Sequence, residues 1–219
     1  EKLMGREKAD MVFTDPPYGI EIVNRSNVGI TAKTGFGKVG IKRLVRAGNY
    51  SKVVGDSKSF DPTFLLKLAD KIILWGANNF SSKLSDNSHW IVWDKKAEIG
   101  ADHNNFSDCE LAWTNIQKKS VRIYRYLWSG LLRSGNRKEE LNKRVHPTQK
   151  PVGLLKEIIK DYTKRNDIVL DLFGGSGSTL IACEQLNRKC FMMEIDPIYC
   201  QVIINRWQAL TSKKAVKLA

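Results

Sequence analysis

Asp15-Pro16-Pro17-Tyr18 closes an apolar run, Ala9-Asp10-Met11-Val12-Phe13-Thr14, that reads as a short buried strand. The two prolines forbid a helix and set a stiff turn, so Asp15 and Tyr18 are displayed at a strand's carboxyl end. A carboxylate, a backbone carbonyl whose residue has no N–H, and an aromatic ring together suit the handling of an aromatic amine. The lone pair of such an amine is delocalised into its ring. Acceptors for its N–H hydrogens draw the pair back onto nitrogen and make it a nucleophile. Asp15 and the carbonyl of Pro16 fit the acceptor roles, and Tyr18 offers a face for stacking. Asp and Pro are also ordinary turn formers, so the string alone reads equally as a turn.

A second string supplies what the first lacks. Asp167 to Leu172 is an apolar strand, Gly174-Gly175-Ser176-Gly177 a tight turn, and Ser178 to Cys183 the opening of a helix. A strand, glycine loop and helix in succession bind nucleotides, because glycines let the backbone approach a ligand closely. Glu194, ending the run Arg188 to Glu194, lies about 20 residues on, where an acceptor for ribose hydroxyls is expected. No Lys follows the glycines, Leu180 stands at the third glycine position of a dinucleotide fingerprint, and Asp171 places negative charge where a pyrophosphate would sit. A cationic ligand is the better match. Upstream, His146-Pro147-Thr148-Gln149-Lys150-Pro151 leads into a predicted helix, Val152 to Lys164, whose start the two prolines would frame on their own.

These three strings, in this order, resemble the signature set of the S-adenosylmethionine-dependent DNA amino-methyltransferases, in the permuted beta group whose catalytic string precedes the cofactor loop. The resemblance spans about residues 9 to 210. It implies a Rossmann-like α/β fold: a seven-stranded methyltransferase sheet with helices on both faces, in circularly permuted order. The implied reaction is methyl transfer to an exocyclic base amine in double-stranded DNA, as in restriction-modification enzymes, with the base flipped out of the duplex. Asp rather than Ser opening the first string is more typical of enzymes acting on the 6-amino group of adenine. Cytosine-N4 or RNA amino-methylation, or an inactive DNA-binding subunit, are the alternatives. Carried over residue by residue, Asp15, Pro16, Pro17 and Tyr18 are catalytic. Asp171, Phe173, Gly174, Gly175, Ser176, Gly177 and Glu194 surround the cofactor. His146, Pro147, Thr148, Gln149 and Lys150 lie beside it, with Lys150 paired to the methionine carboxylate and His146 given no proton transfer.

Composition agrees. The 219 residues carry 36 Lys and Arg against 23 Asp and Glu, a formal net charge of +13, which is the footprint of a polyanion binder. The charge is clustered. Arg25, Lys33, Lys38, Lys42, Arg43 and Arg46 occur with no acid among them, in a glycine-rich loop at about residues 20–56 that is placed to meet a phosphate backbone. Nine further basic residues, among them Arg133, Arg137 and Lys138, lie between Asn115 and His146 against only Glu139 and Glu140. Tyr124, Tyr126 and Trp128 are interleaved with them, on a spacing that suits base stacking or one buried strand face. The four cysteines show no paired metal spacing, so no metal is expected and buried reduced thiols are. No apolar run is long enough to span a membrane and no signal segment opens the chain, so an intracellular, cytoplasmic protein is expected.

The elements that must position these residues alternate as in one catalytic domain over 1–219. Helices are expected over Asp61 to Asp70, Asn78 to Leu84 and Pro197 to Leu210, and strands over Lys71 to Trp75 and His89 to Trp93. Ser107 to Thr114 and Val121 to Trp128 read as an antiparallel pair. No candidate exists for a strand beyond the Glu194 strand, so the sheet has one strand fewer or the chain lacks a beginning. The target-recognition loop, about 129–145, is short. Sequence choice would then fall to the basic loop, a missing segment, or a second subunit, with a homodimer one way to cover more DNA.

Overall fold

The computed structural model describes residues 3–20, 53–97, 107–118, 120–129, 132–133, 146 and 148–218, with residues 129, 132 and 133 described by their backbone alone. The strands are β1 (Ala9–Thr14), β2 (Ala69–Trp75), β3 (Trp90–Asp94), β4 (Cys109–Thr114), β5 (Arg122–Arg125), β6 (Trp128–Ser129), β7 (Leu132–Arg133), β8 (Ile168–Asp171) and β9 (Lys189–Met192). The α-helices are α1 (Val152–Tyr162), α2 (Ser178–Gln185) and α3 (Pro197–Thr211).

Seven strands form one sheet in the order β5-β3-β4-β2-β1-β8-β9, and β6 and β7 form a separate two-stranded ribbon. β1 is parallel to both neighbours, β2 and β8, and β9 is parallel to β8. β4 runs antiparallel to β2 and to β3. The parallel strands read as continuous apolar runs because both faces of the sheet are covered. On one face, Met11, Phe13, Ile73, Trp75 and Trp93 pack against Leu154, Leu155, Ile158 and Ile159 of α1 and Ile181 and Ala182 of α2. The α1 positions recur at helical spacing, which gives the helix its single buried stripe. On the other face, Val12, Ile72, Leu74, Trp113 and Leu170 meet Leu65, Ala77 and Phe80.

That second face differs from expectation. The segments over 61–70 and 78–84 are not α-helices but short 3-10 turns, Leu65–Lys67, Ala77–Asn79 and Ser81–Lys83, and residues 69 and 70 already belong to β2. Pro62 accepts the first bond of its turn through its carbonyl, from the Leu65 N–H at 2.8 Å, and the chain then runs straight into the strand. The strands over 107–114 and 121–128 do not pair with each other. β3 inserts between them, antiparallel to β4 and parallel to β5. β5 thereby becomes the seventh strand, at the edge opposite β9, and among the described residues nothing pairs with the outer edge of β9. Tyr126 is buried in the core cluster, and the half-buried Tyr124 and Trp128 pack against it. Cys183 is buried and Cys190 and Cys200 half-buried, but Cys109 is exposed. Among the described residues no helix is long and apolar enough to cross a membrane.

Candidate active site

β1 and β8 are neighbours in register, Met11 beside Val169 and Val12 beside Leu170, so the two motif strings end side by side although they lie far apart in the chain. A direct bond joins them: Thr14 Oγ1 donates to Asp171 Oδ1 at 2.6 Å. Outside these carboxyl ends, where parallel sheets place ligands, opens a cleft of about 630 Å³. Asp15, Pro16 and Tyr18 line one part of it, and Asp171, Gly175 and Glu194 another.

In the first part the Tyr18 hydroxyl donates to Asp15 Oδ1, and the Lys150 ammonium donates to Asp15 Oδ2 at 2.5 Å. Burial pushes the Asp15 carboxyl above its ordinary value, a rise that Lys150 partly offsets. Burial and the neighbouring Asp15 likewise raise the Tyr18 phenol well above its usual value, so it stays a donor. The Tyr18 ring lies on Gly76, which turns out of β2 with φ +66° and where a Cβ would stand 1.9 Å from a ring carbon. Only glycine meets both conditions. Behind Tyr18, Asp56 Oδ1 accepts from the Gly19 and Ile20 amides at 2.9 and 3.1 Å and fixes the way out of the turn.

Lys150 is held by carboxylates of the protein. Its ammonium contacts Glu110 Oε2 at 3.2 Å as well as Asp15, and it sits 5.1 Å from the centre of the Trp75 ring. Its three hydrogens are thus directed at two carboxylates and a ring face. Lys95 Nζ meets the other Glu110 oxygen at 2.6 Å. Burial would raise the Glu110 carboxyl, but Lys150 and Lys95 outweigh it and hold the group at about 2.

In the second part Asp171 also accepts from the Phe173 amide at 3.1 Å. Burial lifts its carboxyl to about 6 against the lowering effect of bonds from Thr14, Thr179 and that amide. Glu194 Oε2 accepts from the Gly175 N–H at 2.6 Å, and Oε1 from the Ile195 and Asp196 amides at 2.8 and 2.9 Å. Three backbone donors orient the carboxylate and leave it acceptor capacity toward the cleft. The glycine loop is tied down from behind. Gly174 N–H bonds the Met193 carbonyl at 2.8 Å, and the buried Arg206 of α3 donates to the Ser176 carbonyl. Phe173 stands edge-on to Phe60 with ring centres 5.5 Å apart. His146 is buried, its ring edge-on to Tyr199 at 4.3 Å, and its Nδ1 accepts from the Thr148 amide at 3.3 Å. That bond leaves the proton of a neutral ring on Nε2.

Among the described residues the cleft is lined by six carboxylates, Asp15, Asp56, Asp61, Asp171, Glu194 and Asp196, against two lysines, Lys58 and Lys150, in a chain of net charge +13. Such a donor set fits a cationic, hydroxyl-bearing ligand and disfavours a phosphate.

Of the expected site residues, Ser176 and Gln149 line the same cleft, while Gly177 starts α2 from behind it, close to Ile203. Pro147, Arg25, Lys33, Lys38, Lys42, Arg43, Arg46, Arg137 and Lys138 lie outside the described residues, and Arg133 is placed only by its backbone, opposite Trp128. Sequence reasoning missed Thr14, Asp56, Trp75, Glu110, Tyr199 and Arg206. Thr14 had a signal, a polar residue closing an apolar strand beside Asp15. Glu110 had a fainter one, a lone acid in the apolar strand Cys109–Thr114.

The model of a family described as DNA methylase, covering the N6 and N4 amino-methyltransferases, matches residues 9–206, and the chain belongs to that family. It is accordingly a DNA amino-methyltransferase that works with S-adenosylmethionine. Among its relatives are two type II methyltransferases. M2.LlaDCHI of Lactococcus lactis subsp. cremoris is 25% identical over 234 residues, 91% of this chain and 82% of that one. M2.DpnII of Streptococcus pneumoniae is 25% identical over 238 residues, 94% and 85%. Solved structures share the fold. The M1.HpyAVI complex with S-adenosylmethionine superposes with a TM-score of 0.53 at 22% identity, covering 92% of this chain and 90% of that one. The PvuII DNA methyltransferase, described as cytosine-N4-specific, gives 0.55 at 15%, covering 92% and 80%.

Proposed function

We propose that this chain methylates the N6 amine of adenine in double-stranded DNA, with Asp15 and the Pro16 carbonyl as acceptors for the target amine. The observation that carries this reading is the joining of the two motif turns in one cleft through the Thr14–Asp171 bond. Asp at the head of the Asp-Pro-Pro-Tyr string supports adenine over cytosine. The Asp-Pro-Pro-Tyr string precedes the glycine loop in the chain, which supports the permuted order.

Asp171 and Glu194, with the loop of Gly174 and Gly175, would hold the cofactor. When bound, S-adenosylmethionine supplies an electrophilic methyl group on a sulfonium sulfur. Asp171 places a negative charge beside that cation, and Glu194 has acceptor capacity for ribose hydroxyls. Across the cleft, a base extruded from the duplex lies against Tyr18. Asp15 accepts from its amine, localises the nitrogen lone pair and balances the positive charge that grows there. Lys150 favours the ionised form of Asp15, the form that accepts. Positioning of the two reactants supplies much of the acceleration, since no covalent link to the protein is required. The basic segments around 20–56 and 115–145 are assigned to the phosphate backbone on their charge, and a second subunit would extend that surface.

The test is transfer of labelled methyl from S-adenosylmethionine to unmethylated duplex DNA, followed by digestion to nucleosides. Label in 6-methyladenine, lost in Asp15→Ala while calorimetric cofactor affinity is kept, is the expected result. Label in 4-methylcytosine overturns the base, and undiminished transfer by the variant overturns the role of Asp15.

A further inference from the structure

Glu110 reaches the cleft through the topology of the sheet. β4 is antiparallel, so its start lies at the same end of the sheet as the finish of β1 and β2. Ala112 sits beside Trp75, the last residue of β2, which places Glu110 two residues further out, opposite Trp93 of neighbouring β3 and in reach of Lys95, which directly follows that strand. Its side chain shares the face of Ala112, above the buried rings of Trp75 and Trp93. The outcome is a row of alternating charges, Lys95, Glu110, Lys150 and Asp15, laid over two tryptophans, with Lys95 5.3 Å from the Trp93 ring centre and Lys150 5.1 Å from that of Trp75. The row carries no net charge, as a largely desolvated set must to persist.

This arrangement resolves a conflict in the first part of the site. A lysine bonded to Asp15 alone would keep the carboxylate ionised but also satisfy it, weakening its pull on an incoming amine. A second carboxylate on the same ammonium divides that attraction. We propose that Glu110, braced by Lys95, is a positioning residue for methyl transfer: by sharing the Lys150 ammonium it fixes that group's place and leaves Asp15 an effective acceptor for the target amine. The inference rests on Asp15 being that acceptor. Burial that favours the neutral carboxyl and the opposing pulls of Lys150 and Glu110 agree with it. The charged and titratable groups around Asp15 are Tyr18 from its own turn, Lys150 from the approach to α1, Glu110 from β4, Asp171 from the end of β8, and Asp56 beyond Tyr18.

The experiment is titration of the Asp15 carboxyl carbon by NMR in the cofactor-free protein, assigned with Asp15→Asn, beside the pH profile of kcat for methyl transfer. Glu110→Gln removes the competitor, so the Asp15 midpoint and the acid limb of kcat are expected to move down by about one pH unit, with kcat at neutral pH about tenfold lower. Lys150→Met is expected to move the midpoint up. Cofactor affinity is expected to stay within about twofold in Glu110→Gln, a KM-against-kcat split that loss of structure would not give. Should Glu110→Gln fail to fold, Lys95→Met serves: Glu110 then draws harder on Lys150, and the Asp15 midpoint moves up. Midpoints that stay fixed, or that move the same way in Glu110→Gln and Lys150→Met, overturn the proposal. A wild-type protein that transfers no methyl would instead remove the functional reading, and the carboxyl titration would still decide whether Glu110 sets the state of Asp15.

Discussion

Asp171 should make cofactor affinity a function of pH in a range where few groups titrate. Its carboxyl is buried at 3% exposure and lifted from an ordinary 3.8 to about 6. If only the ionised form favours a sulfonium, the binding constant follows the ionised fraction, and affinity for S-adenosylmethionine falls about tenfold between pH 7 and pH 5. Asp171→Asn keeps an acceptor for Thr14 and for the Phe173 amide but removes the charge, so it is expected to bind weakly with a flat profile over that interval. The sign for stability is opposite. A carboxyl whose folded value is raised contributes its stabilisation fully below about pH 4 and loses it as pH rises through about 6. The unliganded Asn variant is therefore expected to be more stable than the wild type above pH 6, by about 2 to 3 kcal/mol at most, a gain in Tm of about 4–12 °C. Below about pH 4 the two are expected to melt alike. Isothermal calorimetry against pH and melting of the free proteins provide the measurements. A flat wild-type affinity, or an Asn variant that keeps the same slope, would refute the placing of Asp171 beside the cation.

Thr14→Val removes a bond that lowers the Asp171 carboxyl, so the midpoint of the affinity profile should rise and stability should drop by about 1 kcal/mol, read by calorimetry and thermal melting. Gly76→Ala drives a Cβ into the Tyr18 ring at a positive φ, and should depress kcat far more than cofactor affinity; a normal kcat would show that the ring need not stay there. Leu154→Ala, fully buried between α1 and the sheet, should cost about 2–5 kcal/mol in denaturant unfolding. Raising salt should weaken apparent DNA affinity with a slope of about −0.9 per phosphate contact in log–log form, while calorimetric affinity for S-adenosylmethionine changes little.

Local signals in the chain matched the structure where one element's own chemistry decides its form. The apolar strands of β1 and β8, the glycine loop, the stripe of α1 and the Pro197 start of α3 all lie within a residue or two of expectation. What failed was set by neighbours. The sequence around 107–128 shows two strands close together, and proximity suggests a hairpin. The outcome depends on β3, whose two edges β4 and β5 take separately. The segments over 61–70 and 78–84 form only 3-10 turns: in the first, residues 69 and 70 are taken by β2, and in the second, two three-residue turns meet at Phe80. In the site, the types and spacing of Asp15, Tyr18, Asp171 and Glu194 marked them as candidates, and the structure brings all four to one cleft. Glu110 and Arg206 were not marked in this way, because their roles arise from partners 40 and 30 residues away or in another layer. The pairing of Lys150 with two carboxylates depends on that same unseen Glu110.

The bond between Thr14 and Asp171 spans 157 positions of the chain, and its consequence lies in the timing of assembly. β1 occupies the middle of the sheet but is made well before β8, one of the two strands that flank it. As the polypeptide leaves the ribosome, β2 can dock on one side of β1 early, whereas the other side, Met11 and Val12, stays an open apolar edge until β8 has been synthesised. The two motif turns are therefore brought together only in a late event. A nascent chain can neither hold the cofactor nor act on DNA before it. If the cofactor binds where proposed, its place exists only once β1 and β8 have joined, and binding would favour the finished protein by mass action, drawing newly made chains out of their most aggregation-prone stage.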